Sequence, residues 1–526
     1  MTALLVAVDV GTTSARAGVV TAQGDILGRA EAPIDIRREG AIRAEHRSEN
    51  IWSAVCVAVR EAIATANADP LSVRAIAYAA TCSLVVLGRD GGSLPVGPDG
   101  EEGWDTIVWL DHRAMRETAD INATGHDVLE FSGGALSPEM EIPKLLWLKR
   151  NLPAIWQKTG YMFDLADFLA WKSSGSIERS QSTLTSKWSF LAHEPDGWPT
   201  DFLGAIGLDD LLTRASLPRT ASPIGAPLGT LTAKAARELG LPRSVVVGTG
   251  MVDAHAGALG VLGTYTEDPL GVDRHLGLVA GTSSAVTALA KAPRPTPGLW
   301  GPYYGAVLPG FWLTEGGQSA SGAALDYIIR VHASGAAPTP IMHAEIINRI
   351  KRLRETDPDL APRLHILPDF HGNRSPFANP AALGVISGMN LDSSFDGLCK
   401  LYWRTAVAIA LGVRHILQTL NATGYAIDTL HVTGGHTRNP LLMELYADAT
   451  GCTVHELPDA DAMILGTAMA AATAAGLYPR LTAAAHTMRH TSVTRTPDPS
   501  RKARYDTDYA VFLKMHAHRR EIESML

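Results

Sequence analysis

The chain opens with two apolar runs separated by a short polar turn. Residues 4–8 are apolar, Asp9-Val10-Gly11-Thr12-Thr13-Ser14 follows, and residues 15–20 form a second apolar run. Short apolar runs bounded by glycine and hydroxyl residues are typical of buried strands, so this pattern predicts strand, tight turn and strand. The plan returns at residues 278–286, where Gly281-Thr282-Ser283 separates two apolar runs. This repetition indicates two related domains.

The residues of these turns suit an anionic ligand. Gly11 lets the backbone bend without a Cβ clash. Successive amides and hydroxyls can donate to a phosphate, and Asp9 at the strand end can hold a magnesium ion, usually through water. For the first turn alone, a plain hairpin is an equally good interpretation. Two such turns favour two domains that hold one nucleotide from opposite sides, as in the actin-like phosphotransferases.

Further along, strand patterns alternate with helix patterns. We predict helices at residues 48–67, 401–420 and 505–525, and strands at residues 73–78, 107–110, 245–248 and 430–433. Residues 462–478 are uncharged but short and rich in Ala, Gly and Thr, which favours a closely packed buried helix over a membrane span. The alternation predicts α/β architecture with mainly buried sheets.

Composition narrows the class of protein. A chain of 526 residues is too long for one core, and we expect two large domains. The hydrophobic content of 46% is that of a globular protein, and the net charge of -8 argues against nucleic acid as a partner. The cysteines lack metal or redox spacing, and the N-terminus lacks the basic region of a signal peptide. We therefore expect a cytoplasmic protein with reduced thiols and no membrane partner.

The common nucleotide motifs are missing from the sequence. No Gly-x-x-x-x-Gly-Lys-Ser/Thr occurs, and Gly248-Thr249-Gly250 has Asp253 where a third glycine would stand. Asp253 follows a predicted strand in a segment rich in Gly and Ala, where a substrate can approach. Its carboxylate could accept a proton from a hydroxyl that attacks phosphorus. The alternative is that Asp253 only caps the following helix.

Three later segments are weaker candidates. Gly434-Gly435, with Asn439 beyond, follows a strand and offers a flat surface for a purine, or is a simple turn. Glu315 lies beside a glycine turn and could bind sugar hydroxyls, or be exposed. Asn373 and Arg374 lie in a segment with Gly and Pro that fits an ordered functional loop, or merely a loop.

Taken in order, these segments resemble the FGGY family of carbohydrate kinases across nearly the whole chain. Each motif is weak alone, but their common order is a strong signal. The motifs are Asp9-Val10-Gly11-Thr12-Thr13-Ser14, Trp109-Leu110-Asp111-His112-Arg113, Lys144-Leu145-Leu146-Trp147-Leu148, residues 250–260 around Asp253, Gly281-Thr282-Ser283, Glu315-Gly316-Gly317-Gln318-Ser319, Gly372-Asn373-Arg374-Ser375-Pro376 and Gly434-Gly435.

The resemblance implies an α/β fold of two ribonuclease-H-like, actin-like ATPase domains that flank a deep catalytic cleft. We expect a sugar-binding domain over residues 1–263 and an ATP-binding domain over residues 264–526. Asp253 is then the catalytic base, and Asp9 and Asp253 lie nearest Mg²⁺. The implied contacts of ATP are Thr12, Thr13, Gly281, Thr282, Gln318, Asn373, Gly434, Gly435 and Asn439.

The resemblance also bears on the sugar. Residues 80–87 lack the Arg-Glu pair of glycerol kinases and the Met-His pair of xylulose kinases, and Thr81-Cys82-Ser83 resembles the ribulokinase branch. Lys187 and Glu315 match that branch's sugar-contacting residues. The implied substrates are ATP and a pentulose, D-ribulose first and L-ribulose or ribitol next, and a homodimer is expected. An actin-like or chaperone-like ATPase and a non-catalytic sugar sensor remain as alternatives.

Overall fold

The computed structural model describes residues 3–40, 42–457 and 461–525. Its strands, in chain order, are β1 Leu4–Val10, β2 Ser14–Thr21, β3 Ile26–Pro33, β4 Arg37–Glu39, β5 Arg43–His46, β6 Val73–Ala80, β7 Leu84–Gly88, β8 Thr106–Ile107, β9 Thr159–Asp164, β10 Pro227–Thr230, β11 Val246–Gly248, β12 Met251–Val252, β13 His275–Ala280, β14 Ser284–Ala290, β15 Trp300–Tyr304, β16 Trp312–Gln318, β17 His365–Leu367, β18 Val385–Ser387, β19 Thr429–Thr433, β20 Thr453–Glu456 and β21 Val493–Arg495.

The helices alternate with these strands. They are α1 Ser48–Thr65, α2 Met115–Asn122, α3 Glu141–Asn151, α4 Pro153–Lys158, α5 Leu165–Ser174, α6 Gln181–Lys187, α7 Thr200–Ala205, α8 Leu211–Arg214, α9 Ala233–Leu239, α10 Asp253–Leu262, α11 Gly322–Val331, α12 Pro340–Thr356, α13 Phe395–Ala422, α14 Pro440–Thr450, α15 Ala462–Ala474, α16 Leu481–Met488 and α17 Lys502–Glu523. None of them, over the described residues, is long and apolar enough to cross a membrane.

Two large sheets share one topology. In the first, β3, β2 and β1 are antiparallel neighbours and β1 pairs with β6 in parallel. In the second, β16, β14 and β13 are antiparallel neighbours and β13 pairs with β19 in parallel. We call the elements β1 to α10 the first half and the elements β13 to α17 the second half. The predicted repetition of strand, turn and strand thus marks the same corner of two similar sheets.

One predicted strand is wrong in extent. Residues 107–110 were expected to be extended, but β8 ends at Ile107 and Trp109 lies in a turn. The chain leaves the sheet because the Trp109 amide donates to Ser83 Oγ at 3.2 Å and the Asp111 amide donates to the Val108 carbonyl at 3.0 Å. The turn places the Trp109 indole beside the first glycine turn.

The two halves meet through α10 and α15. Both helices are buried and rich in small residues, as expected for the uncharged segment that holds α15. A Cβ on Gly260 would lie 2.4 Å from the Ala462 carbonyl oxygen, and one on Gly466 would lie 1.9 Å from that of Ala256. The two backbones are therefore in direct contact where the helices cross. The helix α15 also packs on β1 and β6, so the apolar core continues from one half into the other.

Candidate active site

Four of the predicted site residues lie at or just after the ends of strands, beside the cleft between the halves. Asp9 is the next-to-last residue of β1, and Asp253 is the first residue of α10 directly after β12. Gly281 follows β13, and Gly434 follows β19. The carboxyl ends of parallel strands gather at one edge of a sheet, which is where open α/β sheets bind ligands.

Asp9 is a buried carboxylate with one free oxygen. Its Oδ2 accepts from Arg16, whereas Oδ1 is buried and has no hydrogen-bond partner within the described part of the chain. Burial raises the pKa of Asp9 to about 7, Arg16 opposes that rise, and the negative charges of Asp253 and Asp461 add to it. An unpartnered buried carboxylate oxygen is costly, and a cation or its water would satisfy it.

Asp253 lies at the N-terminal end of α10, but it does not occupy the capping position. The N-cap is Val252, and the Asp253 carboxylate accepts from the adjacent Ala254 amide at 2.7 Å. Burial raises the pKa of Asp253, while the Ala254 amide and the nearby positive charges of Lys187 and Arg16 counter that rise. The capping alternative therefore does not account for Asp253, whose carboxylate binds one adjacent amide and is otherwise available in the cleft.

Asp461 is a candidate site residue that the sequence interpretation missed. It precedes α15, where its carboxylate accepts from the Ile464 amide at 3.2 Å, and its charge acts on both Asp9 and Arg16. No group of three His, Cys, Asp or Glu side chains is arranged as a metal site in the described residues. The free Asp9 oxygen, with Asp253 and Asp461 near enough to raise the pKa of Asp9, fits a magnesium ion that keeps most of its waters.

Lys187 and Glu315 form a buried ion pair between the two halves. Lys187 Nζ donates to Glu315 Oε1 at 2.9 Å, and His255 Nε2 lies 3.3 Å from Glu315 Oε2. Burial alone would lower the pKa of Lys187, but the Glu315 carboxylate holds it well above its ordinary value. Burial alone would raise the pKa of Glu315, but Lys187 and His255 hold it far below. Both groups are charged, close to Asp253.

Thr81 and Cys82 border the same region. The Thr81 hydroxyl is buried and lies 3.2 Å from Ser83 Oγ, and its amide donates to the Val10 carbonyl. The Cys82 side chain is partly exposed, and burial raises the pKa of its thiol although Lys187 lies nearby. The thiol is therefore neutral, which suits a wall of a sugar pocket rather than a nucleophile.

The two glycine turns face the cleft with their hydroxyls outward. In the first, Thr13 is exposed, and Thr12 Oγ1 accepts from the Trp109 indole at 2.9 Å, which leaves its hydrogen free to donate. In the second, Thr282 is exposed, and the Gly281 amide donates to the Ser283 carbonyl at 2.9 Å. Both turns can therefore offer donors to phosphate oxygens.

The turn at Gly434 and Gly435 lies against the second glycine turn. Gly434 has φ of 90°, and a Cβ there would lie 2.6 Å from the Ala280 carbonyl oxygen, so only glycine fits without strain. His436, which the sequence interpretation missed, links the turns because its Nε2 lies 2.9 Å from the Gly281 carbonyl oxygen. The Asn439 side chain is turned inward, where it accepts from the Leu441 amide and caps α14.

Gln318 and Asn373 line one small cavity together, and both side-chain amides bond within the fold, but Gln318 Oε1 is buried without a hydrogen-bond partner among the described residues. Gln318 Nε2 donates to the Ile409 carbonyl at 3.1 Å. Asn373 Nδ2 donates to Asp369 at 3.0 Å, and its Oδ1 accepts from the Phe377 amide at 3.1 Å. These bonds show Asn373 fixing the shape of its own loop. A direct contact of either residue with the nucleotide stays a prediction.

The fold so defined is that of solved sugar kinases. The chain superposes on the xylulose kinase from Rhodospirillum rubrum with a TM-score of 0.80, at 23% identity and over 99% of each chain. It superposes on the Plasmodium falciparum glycerol kinase with ADP with a TM-score of 0.79, at 14% identity and over 98% of each chain. These likenesses establish the two-domain α/β architecture.

The sequence comparisons give the family. Residues 4–260 match the N-terminal domain of the FGGY family of carbohydrate kinases, and residues 276–475 match its C-terminal domain. The chain belongs to this family, and it is a carbohydrate kinase of the kind that uses ATP.

Two curated relatives are similar over most of their length. The chain is 38% identical to the human FGGY carbohydrate kinase domain-containing protein, over 98% of this chain and 96% of the relative. It is also 38% identical to a D-ribulokinase of Saccharomyces cerevisiae, over 85% of this chain and 68% of the relative.

Proposed function

We propose that the protein transfers the γ-phosphate of ATP to the terminal hydroxyl of a ketopentose, with D-ribulose as the preferred acceptor. The observation that carries this proposal is the buried Lys187–Glu315 ion pair, which joins both halves close to Asp253. A charged donor and a charged acceptor in a desolvated cleft suit the hydroxyls of a small polyol. The similarity to a yeast D-ribulokinase supports the choice of sugar.

In this proposal Asp253 accepts the proton of the attacking hydroxyl. Its position at the start of α10 holds the carboxylate still, because the Ala254 amide binds one oxygen. The positive charges of Lys187 and Arg16 favour its ionised form against burial. Oriented attack then needs mainly donors at the phosphate, and the turns at Thr12 and Gly281 can supply them.

Asp9 and Asp253 would hold Mg²⁺, with Asp461 as a further carboxylate near Asp9. When bound, the ion supplies positive charge that neutralises the phosphate oxygens. The free Oδ1 atom of Asp9 is the feature that fits this role.

The organisation of the protein follows the same proposal. A sugar-binding domain over residues 1–263 and an ATP-binding domain over residues 264–526 would close on the substrates and exclude water from the cleft. We also propose that the protein is a cytoplasmic homodimer, which light scattering at micromolar concentration would test.

The proposal is tested by sugar-dependent ADP release from Mg-ATP with D-ribulose, L-ribulose, ribitol, D-xylulose and glycerol. We expect D-ribulose to give the highest kcat/KM. Asp253→Asn should lower kcat about 100- to 10,000-fold, the usual contribution of a general base. Asp201→Asn, a change at an exposed carboxylate, serves as the matched control.

Other outcomes would separate the parts of the proposal. A higher kcat/KM with L-ribulose or ribitol than with D-ribulose would show that the assigned acceptor is wrong, while the proposed mechanism would still hold. ADP release at one rate with or without any sugar would instead favour an actin-like or chaperone-like ATPase. Normal turnover by Asp253→Asn would refute the assignment of the base.

A further inference from the structure

A second pair of opposite charges crosses the cleft beside Lys187 and Glu315. Glu139 belongs to the first half, just before α3, and Arg374 belongs to the loop between β17 and β18. Arg374 Nη2 lies 3.9 Å from Glu139 Oε2. The first half here contributes the anion and the second half the cation, which is the reverse of the Lys187–Glu315 pair.

Both pairs adjoin one aromatic ring. Lys187 Nζ lies 4.9 Å from the centroid of the Trp300 ring, and Arg374 Cζ lies 5.6 Å from it. Arg374 Cζ also lies 5.9 Å from the Trp109 ring. Trp300 is therefore a neighbour of both pairs, and the second pair lies near the proposed sugar contacts.

The two pairs differ in how far they are closed. Lys187 and Glu315 are hydrogen-bonded, whereas Arg374 is too far from Glu139 to form a hydrogen bond with it. His112 Nε2 also lies beyond hydrogen-bond distance, at 3.6 Å from Glu139 Oε1. Within the described residues neither the Glu139 carboxylate nor the Arg374 guanidinium makes a side-chain hydrogen bond of 3.5 Å or less. Only 17% of each side chain is exposed, so both have unused hydrogen-bonding capacity in an enclosed place.

Hydrogen bonds fix the backbone on both sides, so the fold holds the Glu139 and Arg374 side chains opposite each other. The Glu139 carbonyl accepts from the buried Lys144 Nζ at 3.0 Å, and its amide donates to Ser137 Oγ at 3.2 Å. On the other side, Asn373 is bonded to Asp369, and Ser375 Oγ accepts from the Gly317 amide at 3.3 Å. The Arg374 loop is thus anchored to β16, the strand that carries Glu315.

We propose that Glu139 and Arg374 are specificity-determining residues that bind one hydroxyl of the sugar between them. The hydroxyl donates to the Glu139 carboxylate and accepts from the Arg374 guanidinium, and Trp300 packs against the C–H groups of the sugar chain. Arg374 Nη2 and Glu139 Oε2 are 3.9 Å apart, so an oxygen atom beside the line that joins them can lie about 2.8 Å from both. This inference rests on the proposed sugar kinase function and adds the second contact that selects the sugar.

The test uses Glu139→Gln and Arg374→Met in the full-length protein, with D-ribulose and a set of ketopentoses that each lack one hydroxyl. Each variant should raise the KM for the full sugar about tenfold or more and change the KM for ATP less than twofold. For the one analogue that lacks the bridging hydroxyl, wild type and both variants should have the same KM. A site built to bind a hydroxyl discriminates in this manner, because its polar groups are otherwise left unpaired.

Matched controls and a folding readout complete the design. Glu130→Gln and Arg363→Met change exposed residues outside the cleft and should leave each KM unchanged. The unfolding temperature of each variant separates lost binding from lost folding. Arg374→Lys, which keeps the charge but not the planar fork, should show an intermediate KM.

Two results would overturn the inference. An unchanged KM for the sugar in both variants would show that Glu139 and Arg374 do not contact the sugar. An equal rise in KM for every analogue would show that the pair holds the halves together without contacting a hydroxyl. Failure of the proposed function differs from both results, because wild type would then phosphorylate no ketopentose. In that case Lys187→Met, Glu139→Gln and Arg374→Met would be tested again with whichever acceptor makes wild type release ADP.

Discussion

The two glycine turns follow the first strands of two similar sheets, but different groups lie behind them. In the first half, Asp9 stands two residues before Gly11, and Val279 holds the equivalent place before Gly281. The first turn is backed by the charges of Asp9 and Arg16. The second is backed by His436, whose imidazole bonds to the Gly281 carbonyl and to Tyr446.

This difference shows how a repeated fold can serve two roles. A charged turn suits a metal ion and the reacting oxygens, whereas an uncharged turn suits binding of phosphate through amides and hydroxyls. Replacing residues at matched positions of the two turns tests whether the roles are in fact divided.

The largest effect is expected at the charged turn. Asp9→Asn removes the free carboxylate oxygen and its charge, and we expect kcat to fall at least about 100-fold, with a higher Mg²⁺ concentration for half-maximal rate. Initial rates over a MgCl₂ series measure both effects. Asp25→Asn, at the exposed turn before β3, is the control and should remain within about threefold of wild type.

The uncharged turn should show a distinct pH dependence of stability. Burial lowers the pKa of His436 from 6.5 to about 4, so as pH falls through this window the unfolded chain takes up a proton that the folded protein refuses. His436 therefore costs wild type about 2 kcal/mol of unfolding free energy between pH 7 and pH 5. The free energy of unfolding of His436→Gln should fall by about 2 kcal/mol less than that of wild type between pH 7 and pH 5. Urea unfolding of both proteins at both pH values measures this difference.

The exposed His518→Gln is the control for that experiment and should follow wild type at both pH values. A loss in His436→Gln as large as that of wild type would contradict the neutral state of His436 in the folded protein.

The two glycines after β19 should separate strain from contact with the nucleotide. Gly434→Ala introduces about 1–3 kcal/mol of backbone strain and a clash with the Ala280 carbonyl, so both stability and ATP affinity should fall, the latter about tenfold. At Gly435 a Cβ meets no atom closer than 4.0 Å, so Gly435→Ala should keep its stability. A KM for ATP equal to that of wild type in Gly435→Ala would show that the adenosine does not bind against this turn.

The smallest effects are expected from the turn hydroxyls. Thr12→Val and Thr282→Val each remove one proposed donor to phosphate, and we expect each to lower kcat/KM about 2- to 10-fold. Thr12→Val should be the more harmful, because it also leaves the Trp109 indole without its acceptor. Equal effects on kcat/KM and on unfolding temperature would show that the indole contact contributes nothing.

Much of the fold is predictable from sequence because each strand or helix is indicated by the hydrophobic and polar pattern of its own residues. Apolar runs beside Gly-Thr turns locate β1, β2, β13 and β14, and the uncharged segment predicts a buried α15. The two-domain α/β fold is confirmed by the solved sugar kinases. The boundary near Gly263 stays a prediction, as do the individual roles of the site residues.

The rest depends on contacts between distant segments. Nothing in the sequence around Glu139 or Arg374 indicates that they face each other, because their approach depends on how the halves dock. Asp111 and Arg113 are charged residues of the Trp109–Arg113 motif, but they form hydrogen bonds with each other. Arg113 also donates to Glu45, so both contacts stay within the first half. Local sequence does not distinguish such a buried brace from a ligand contact.

The crossing of α10 and α15 has a mechanical consequence. With backbone against backbone at Gly260 and Gly466, the helices have no side-chain layer over which to slide, so we expect the crossing point to stay fixed when the halves move. Asp253 starts one of these helices and Asp461 precedes the other. The crossing point therefore ties the positions of Asp253 and Asp461 to each other, and with them the electric field that acts on Asp9.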